Sequence, residues 1–500
     1  MRTFLHIVGG GLLLVAAGCP SSVPATCDNG ACDGLDGGRD GDVIDGGADV
    51  VQPPPGCDPA ADPKDAPKCV VSEFGVFVDA TGGADANPGT KESPVKSITA
   101  ALGKVANKNR VYVCEGTYAE HVKLASAVSL YGGFACGAWS YSGTKPKVAP
   151  ADVGYALEIA DTTGDITVSD LSFVAANAVD KGQSSIAAFV HKASKVVIAR
   201  SDLQGGTAKE GLDGDGGTTG TITAVTGGGA LNASGYPASG TTAGTIKTCT
   251  CAGGATTAGA AGGGPAGAGA LGAPSVGGAA PNDGVGGLAN TSCSQAEPNG
   301  TGNNGGDAAN AANGPKITAL GKLDSTGWIP QAGNAGPSGT AGQGGGGGGG
   351  RDGAGGGGGG CGGCGGTGGK AGGGGGASGA LVSVDSSVVL KASTLTAKAA
   401  GAGGSGGAKG DGAAGGGGQP GGAAGTFAGC AAGDGGRGGD GGTGSGGSGG
   451  VAVAVMHKGA APTNEGSTLT PGTKGLGGQG GTPGGNDGLE GQQGEILPIQ

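Results

Sequence analysis

The chain has 500 residues, of which 129 are glycine and only 3% are aromatic, and its formal net charge is −11. Ordinary domains contain about 7% glycine, so this composition excludes a row of conventional globular domains. An acidic chain with few aromatic side chains also lacks the basic surface and stacking groups that nucleic-acid binding requires. We therefore predict no nucleic-acid partner.

The N-terminus, MRTFLHIVGGGLLLVAAGCP, has the pattern of an export signal. One positive charge at Arg2 precedes an apolar run that is too short to span a membrane. The run Ala16-Ala17-Gly18-Cys19 resembles the lipobox of bacterial lipoproteins. This resemblance implies cleavage before Cys19, acylation of Cys19 with chains such as palmitate, and anchoring in a lipid bilayer at the outer membrane or cell surface. A plain signal peptide cut near Ala17 or Gly18 is the alternative.

Residues 19–69 are rich in Asp, Gly and Pro. Such a segment buries too little apolar surface to fold on its own, so we predict an acidic tether. The alternative is a calcium site, because Asp36, Asp40, Asp42 and Asp45 lie close together. Their spacing does not fit the ligand positions of an EF-hand loop.

Residues 74–136 carry ordinary hydrophobic patterns. They predict a strand at 76–78, a helix that starts at Ser93-Pro94 and runs to Val105, and strands at 111–113, 121–124 and 128–131. The stretches ANPGTKESPVKSITAAL and VYVCEGTYAEHVKL resemble the start of pectin-lyase-like right-handed parallel β-helices, over roughly residues 70–205. The resemblance implies an all-β fold, a single right-handed parallel β-helix with an N-terminal capping helix.

Four segments align by number as rungs, meaning successive turns of one coil. They start at residues 154, 187, 380 and 453, and offsets of 32, 192 and 74 superimpose their Ser-x-Leu pairs. The same offsets align His191 with His457. We predict that four leucines form an interior ladder and that the last segment is a frayed terminal rung. The aligned Ser-x-Leu pairs are Ser169/Leu171, Ser201/Leu203, Ser393/Leu395 and Ser467/Leu469.

Long glycine-rich stretches separate the late rungs, and several place glycine at every third position, as from Gly350 to Lys370. This period matches the polyproline-II helix, so packed polyglycine-II helices are one interpretation and a flexible linker is the other. We predict disorder or weak order. The texture also resembles the glycine repeats of mycobacterial PGRS proteins. The predicted divisions are signal 1–18, tether 19–69, first rungs 70–204, glycine-rich insertion 205–378, rung 379–396, insertion 397–450, terminal rung 451–470 and glycine-rich tail 471–500.

The chain has 13 cysteines, and an even number remains when Cys19 is set aside. In an exported chain this parity favours disulfides. Cys114 and Cys136 each follow a predicted strand, about one coil turn apart, and a bridge between them is preferred over two buried thiols. For Cys361 and Cys364 we predict inter-loop disulfides rather than a metal or redox site, because Cys249 and Cys251 are poorly spaced as a second ligand pair.

The residues with catalytic potential are few. Arg200 and Asp202 alternate along one predicted strand, and Asp170 falls one rung earlier, so these three are weak candidates for acid–base chemistry on polysaccharide. The histidines form no cluster in sequence, and we predict no metal and no cofactor. We predict a structural, adhesive or matrix-binding surface protein. A polysaccharide lyase or hydrolase is the alternative, and a mere solvated spacer is the third reading.

Overall fold

A computed structural model describes residues 54–226, 231–276, 280–294 and 299–499, which belong to a single structural unit. The signal segment, Cys19 and the acidic run from Asp36 to Asp45 lie outside the described residues. The described part is all-β, apart from the 3-10 turn Pro67–Cys69 and the helix α1, Ile98–Leu102. The strands are β1 Gly75–Val78, β2 Arg110–Cys114, β3 Thr117–Tyr118, β4 Val122–Leu124, β5 Ser129–Phe134, β6 Lys147–Val148, β7 Leu157–Ser169, β8 Ser172–Val174, β9 Ser185–Ala199, β10 Asp202–Gln204, β11 Ile222–Val225, β12 Lys247–Cys251, β13 Thr256–Gly259, β14 Gly321–Asp324, β15 Gly327–Pro330, β16 Ser378–Val384, β17 Val388–Lys391, β18 Thr394–Thr396, β19 Ala423–Ala424, β20 Phe427–Ala428, β21 Ala452–Lys458, β22 Thr463–Glu465, β23 Thr468–Thr470 and β24 Gln493–Pro498.

Two large parallel sheets organise the aliphatic part of the chain. One has 11 strands, eight of them in the order β1-β2-β5-β7-β9-β16-β21-β24, with β4 paired to β7, β17 to β9 and β22 to β17. The other has six strands in the order β23-β18-β10-β8-β6-β3. Their inward side chains form one hydrophobic core. This arrangement is compatible with a parallel β-helix. We call residues 75–204, 378–396, 452–470 and 493–498 the parallel-sheet region.

Three of the four predicted ladder leucines are in register. Leu203 pairs with Leu395, and Leu395 pairs with Leu469, all in parallel and all buried. The fourth, Leu171, is wrong by two residues, because Phe173 stands opposite Leu203. Leu171 is buried in the same core but lies at the preceding corner.

The serines of the Ser-x-Leu pairs have a structural role at the corner before each short strand. The backbone N–H of Ser201 donates to Ser393 Oγ at 3.1 Å, and that of Ser393 donates to Ser467 Oγ at 2.9 Å. Ser201 and Ser393 are buried. Each hydroxyl therefore satisfies a backbone N–H that the turn leaves without a ladder partner.

The predicted alignment of His191 with His457 is wrong by one residue. His191 stands opposite Val384, and Val384 stands opposite Lys458. Further along the chain, where β9 pairs with β17, the predicted offset of 192 residues is correct, because Ile198 pairs with Leu390. The corner within β9 is therefore one residue longer than the corner between β16 and β17.

The predicted helix is shorter than its hydrophobic stripe. Ser97 caps α1, since its side chain accepts the N–H of Ala100. Val95, predicted inside the helix, instead forms a parallel bridge with Val78 at the edge of β1. The residue before a proline is pushed away from helical geometry, and Pro94 falls where the helix was expected to begin. The predicted strands correspond to β1, β2, β4 and β5 with slightly different bounds.

The glycine-rich stretches are ordered, so the prediction of disorder or weak order is wrong for their described parts. Backbone N–H groups donate to a neighbouring segment at every third residue. Gly363, Gly366 and Gly369 donate to the carbonyls of residues 436, 439 and 442 at 2.8–3.0 Å. An antiparallel neighbour donates back to the same segment with the same period. We call the described parts of residues 205–377, together with residues 397–451 and 471–492, the glycine bundle.

Close backbone contact explains why this bundle needs glycine. A Cβ added at Gly363 would lie 2.0 Å from the carbonyl oxygen of Ala413, and one at Gly366 would lie 2.2 Å from that of Gly410. Real Cβ atoms do not approach a carbonyl oxygen so closely, and the neighbouring atom is backbone, which cannot rotate away. The missing side chains are therefore what lets the segments hydrogen-bond to one another.

The tail does not trail off as predicted. After the bundle segment at 471–492, β24 returns and pairs in parallel with β21. β22, the poorly patterned strand of the terminal rung, also pairs with β17, although its side chains are exposed. The antiparallel hairpins β11–β12–β13, β14–β15 and β19–β20 were not predicted.

Candidate functional site

The disulfide predicted between Cys114 and Cys136 is confirmed, with its Cα atoms 5.1 Å apart. Asp79 lies within 4.8 Å of both sulfurs. Because those sulfurs are bonded to each other, they supply no thiolate ligand to a metal ion. The disulfide therefore links the ends of two neighbouring parallel strands, β2 and β5.

The inter-loop disulfides predicted for Cys361 and Cys364 are also confirmed. Cys361 is bonded to Cys249, and Cys364 is bonded to Cys251. Residues three apart on a polyproline-II-like segment share one side, as do residues two apart on a strand. Two disulfides therefore join the bundle segment that contains Cys361 and Cys364 to strand β12. Two further disulfides join Cys57 to Cys69 and Cys293 to Cys430.

Two of the weak catalytic candidates meet in an ion pair. Arg200 Nη2 lies 2.6 Å from Asp170 Oδ2, and Arg200 Nε donates to Asp170 Oδ1 at 3.0 Å. The hydroxyl of Tyr141 donates to the same Oδ1 at 2.9 Å. The two residues do not lie on a strand face as predicted, because both are corner residues with positive φ, +59° for Asp170 and +47° for Arg200.

The third candidate lies apart from this pair. Asp202 accepts a hydrogen bond from Lys145 at 2.7 Å, and the structure does not bring it into the Arg200 cluster. Burial tends to lower the pKa of Arg200, but its hydrogen bonds to Asp170 and Asp62 outweigh that effect and raise it. Both oxygens of Asp170 are held by neighbours. The geometry therefore provides a fixed ion pair rather than an available acid or base.

The Arg200 cluster fastens the end of the predicted tether. Arg200 Nη2 also lies 2.6 Å from Asp62 Oδ2. Arg110 donates to the carbonyl of Pro59, and the hydroxyl of Tyr112 donates to that of Cys69 at 2.8 Å. The tether prediction is therefore wrong for residues 54–69, which dock on the parallel-sheet region through buried polar groups.

A shallow cavity of about 390 Å³ beside α1 contains another pair of carboxylates, Asp85 and Glu120. Asp85 Oδ1 accepts the N–H groups of Lys96 and Ser97, and Glu120 accepts those of Ile98 and Thr99. These carboxylates satisfy the unpaired N–H groups at the start of the helix. Their arrangement is that of helix caps.

Two of the three histidines in the described part of the chain, His121 and His457, contact polar groups nearby. His121 contacts the carbonyl of Tyr155 through Nδ1 and Asp152 through Nε2, at 2.8 and 3.1 Å. His191 and His457 are both buried on the parallel-sheet region, and His457 Nδ1 contacts the carbonyl of Gly459. The structure does not bring them together as metal ligands.

Turns from separate bundle segments converge at the end that lies away from the parallel sheets. The N–H of Gly355 donates to the carbonyl of Gly240, and that of Gly353 to Pro265. The N–H of Asn290 donates to Gly350 at 2.9 Å. We call this set of turns the distal tip; it comprises residues 239–242, 264–267, 290–294, 350–354 and 422–428.

The distal tip presents one exposed aromatic side chain, Phe427, beside one cation, Arg351. The Arg351 guanidinium lies 5.9 Å from the centroid of the Phe427 ring, and Arg351 Nε lies 3.3 Å from Asp352 Oδ2. Phe427 is 45% exposed. The sequence analysis missed this pair. The available signal was that an arginine and one of the few late aromatics each interrupt a run of small residues.

No helix in the described part of the chain is long and apolar enough to cross a membrane.

Comparison with known proteins gives a partial family match. A family model described as a protein of unknown function, DUF1565, matches residues 81–247. This range covers the first turns of the parallel-sheet region and the start of the glycine bundle, which is about a third of the chain. Neither the curated proteins nor the solved structures contain a match to this chain. The family match agrees with the parallel-sheet architecture and assigns no activity.

Proposed function

We propose that this chain is an exported, lipid-anchored surface protein with an adhesive or matrix-binding role. In this proposal the parallel-sheet region is a right-handed β-helix and the glycine bundle is a packed array of polyglycine-II helices. The observation that carries it is the ladder of backbone hydrogen bonds at every third residue, as between residues 363–369 and 436–442. Such a ladder makes a stiff, side-chain-free support.

The dimensions of the bundle support a display role. Residues 355–377 run from the distal tip to β16, and at about 3.1 Å per residue they span roughly 70 Å. Two disulfides, at Cys361 and Cys364, hold the half of this segment that is nearer the tip. A rigid spacer of this length would hold the tip well clear of the surface that carries the protein.

The other end of the molecule is suited to attachment. Residues 54–69 are closed on themselves by the Cys57–Cys69 disulfide and fastened to the parallel sheets by the Arg200–Asp62 ion pair and the hydrogen bond from Tyr112 to Cys69. The edge of β1 is covered, because the N–H of Phe77 donates to the carbonyl of Gly89 and the carbonyl of Phe77 accepts the N–H of Val95. The helix α1 lies beside this edge. We propose that this segment and α1 cap the β-helix and pass mechanical load from the anchor to the sheets.

Radioactive fatty-acid labelling tests the anchor at Cys19. Cells that produce the wild-type chain should incorporate label into it, and Cys19→Ser should abolish that label. Ser22→Ala is the matched control, because it changes a neighbouring small residue without removing the thiol. Equal labelling of wild type and Cys19→Ser would refute the lipid anchor.

An adhesion assay tests the role of the bundle. Cells displaying the wild-type chain should adhere to matrix-coated surfaces, whereas Gly363→Val with Gly366→Val should reduce adhesion to the level of cells without the protein. The control is Gly417→Ala, because a Cβ there meets only a side-chain atom at 3.8 Å. Adhesion is compared at equal surface amounts, measured by surface labelling. Unchanged adhesion of the double variant would refute the proposal.

A further inference from the structure

We propose that the distal tip binds carbohydrate that carries carboxylate groups. In this complex the Phe427 ring face packs on the apolar face of a sugar ring, and the Arg351 guanidinium pairs with the sugar carboxylate. This inference rests on the proposed display function and names the class of ligand that the displayed end takes.

The guanidinium has unused hydrogen-bonding capacity. Arg351 Nε is engaged by Asp352, and no group in the described part of the chain hydrogen-bonds to Nη1 or Nη2. A guanidinium presents parallel N–H donors that match a carboxylate bidentately. The side chain of Arg351 is 38% exposed, so a ligand can reach these donors without displacing a protein partner.

Phe427 supplies the apolar contact of the proposed binding site, beside the Arg351 guanidinium. It belongs to the hairpin β19–β20, where Ala424 pairs with Phe427. A phenyl ring at this exposure leaves apolar area in water that a ligand can cover. The Arg351 guanidinium lies over one face of the ring and holds it by a cation–π contact, so the ligand packs on the ring area that the guanidinium leaves uncovered. An aromatic face beside a planar cation suits a flat ligand with one apolar face and an anionic edge.

The turns that carry these groups are fixed before any ligand binds. Arg351 and Ala354 exchange backbone hydrogen bonds of 2.9 and 2.8 Å. The N–H of Asp352 donates to Asn290 Oδ1, and the disulfide Cys293–Cys430 ties the turn 290–294 to the bundle segment that follows the turn 422–428. A preformed site avoids the entropy cost of ordering loops on binding, which suits a surface that must capture a dilute polymer.

The charge of the tip selects among ligand classes. Arg351 and Asp352 are the charged residues of the tip turns, and the remaining residues there are small or neutral. Nucleic-acid binding depends on several cations that each neutralise a phosphate, which one arginine does not provide. A polysaccharide with widely spaced carboxylates requires one cation per sugar and can offer hydroxyl groups to Asp352. We therefore favour a uronic-acid polymer over a nucleic acid or a neutral glycan.

Binding measurements with defined polysaccharides test the inference. The full chain carrying Cys19→Ser is titrated with oligogalacturonate and, separately, with uncharged dextran. We expect oligogalacturonate to bind and dextran not to bind. Arg351→Gln and Phe427→Leu should each weaken binding about tenfold, and added salt should weaken it further. The matched control is Lys322→Gln, an exposed cation on β14 away from the tip, which should bind like the parent.

Each other result has a definite meaning. Equal binding of dextran, unchanged binding by Arg351→Gln, or no binding of oligogalacturonate would overturn the inference. Unfolding midpoints of the variants, measured alongside, show that lost binding is not lost folding, and Phe427→Tyr, which keeps an aromatic ring, should retain binding. If cells displaying the chain adhere while the tip variants adhere equally, this inference fails and the display function stands. If the wild-type chain gives no adhesion, the display function itself fails.

Discussion

In the parallel-sheet region, Leu203, Leu395 and Leu469 stack on one another and are removed from water. In the glycine bundle, Gly363 and Gly366 bring no side chain at all, and their backbones pack against neighbouring carbonyls. The first region is stabilised by apolar area, and each added methylene contributes about 0.8 kcal/mol. The second is stabilised by backbone hydrogen bonds in a space that a methyl group would block.

The two regions should therefore respond in opposite ways to the size of a side chain. Removing atoms should damage the parallel sheets, while adding atoms should damage the bundle. The disulfides at Cys249 and Cys251 fit this difference between the regions. They lie in the interior of the bundle, where apolar side chains are too few to fix one segment against the next.

The largest effect is expected from Leu395→Ala in the parallel-sheet region. Leu395 lies between Leu203 and Leu469 and is fully buried, so the change leaves a cavity and should cost about 4 kcal/mol of unfolding free energy. Urea unfolding followed by far-UV circular dichroism measures it. Thr394→Ala, at an exposed position of the same strand, should cost less than about 1 kcal/mol. Equal costs for the two would show that the ladder is not a core.

The next largest effect is expected from Gly363→Ala in the bundle. The new methyl group would collide with the carbonyl oxygen of Ala413, and overpacking of this kind should cost roughly 3 kcal/mol. Gly417→Ala is the control, because its nearest atom is 3.8 Å away and belongs to a side chain. The comparison of the two alanine variants is made in urea. A bundle that tolerates both equally would be held by something other than close backbone contact.

The order of the parallel sheets was predictable where side chains repeat. Leu203, Leu395 and Leu469 were aligned correctly because the same Ser-x-Leu pattern marks the start of the short strand in each of these three segments, whatever the length of chain between them. The first rung was misaligned because the tripeptide Ser-Asp-Leu occurs at both 169–171 and 201–203. The ladder position accepts any large apolar side chain, and Phe173 fills it, so identity of letters was a poorer guide than hydrophobic position.

The order of the bundle was not predictable by the same means. Its three-residue period is visible in sequence, but glycine has no side chain by which one segment could be matched to another. Side-chain signals remain at a few positions. Asn304, Asp307, Asn310 and Asn313 recur at the same period, and their side-chain oxygens accept the N–H groups of residues 434, 437, 440 and 443.

Among the candidate site residues, too, some contacts could be predicted from the sequence and others could not. The Cys114–Cys136 disulfide was predicted because both residues follow strands about one coil turn apart, whereas for Cys361 and Cys364 disulfides were predicted but their partners were not. The grouping of Arg200 with Asp202 was wrong, because a strand was assumed to continue through residue 200, where the chain turns with φ of +47°. The pairing of Arg351 with Phe427 joins residues far apart in sequence, and only the folded bundle brings them together.

A smaller effect is expected from Ser393→Ala at the corner of the parallel-sheet region. The variant removes the oxygen that accepts the N–H of Ser201 and leaves that buried donor unpaired, which should cost about 2 kcal/mol. Ser194→Ala is the control, because Ser194 is exposed and its hydroxyl has only a 3.5 Å contact with a carbonyl. Unfolding midpoints in urea check the difference. If Ser393→Ala were as stable as Ser194→Ala, the serine ladder would have no structural role.

The smallest effect is expected from acid, and it belongs to the bundle. Lys409, the N–H of Gly412 and Arg437 hold the pKa of the Asp440 carboxyl well below its usual range. Because the folded pKa is lower than the unfolded one, ionised Asp440 stabilises the bundle above the unfolded value of about 3.9. That stabilisation is lost as the pH falls below about 4 toward the folded pKa.

Asp440→Asn should therefore melt at a lower temperature than wild type near neutral pH, and the two melting temperatures should approach each other in acid. Asp411→Asn, at an exposed carboxylate beside the same lysine, should follow the wild-type profile. Parallel melting curves for wild type and Asp440→Asn at every pH would show that close backbone packing, without this ion pair, sets the stability of the bundle.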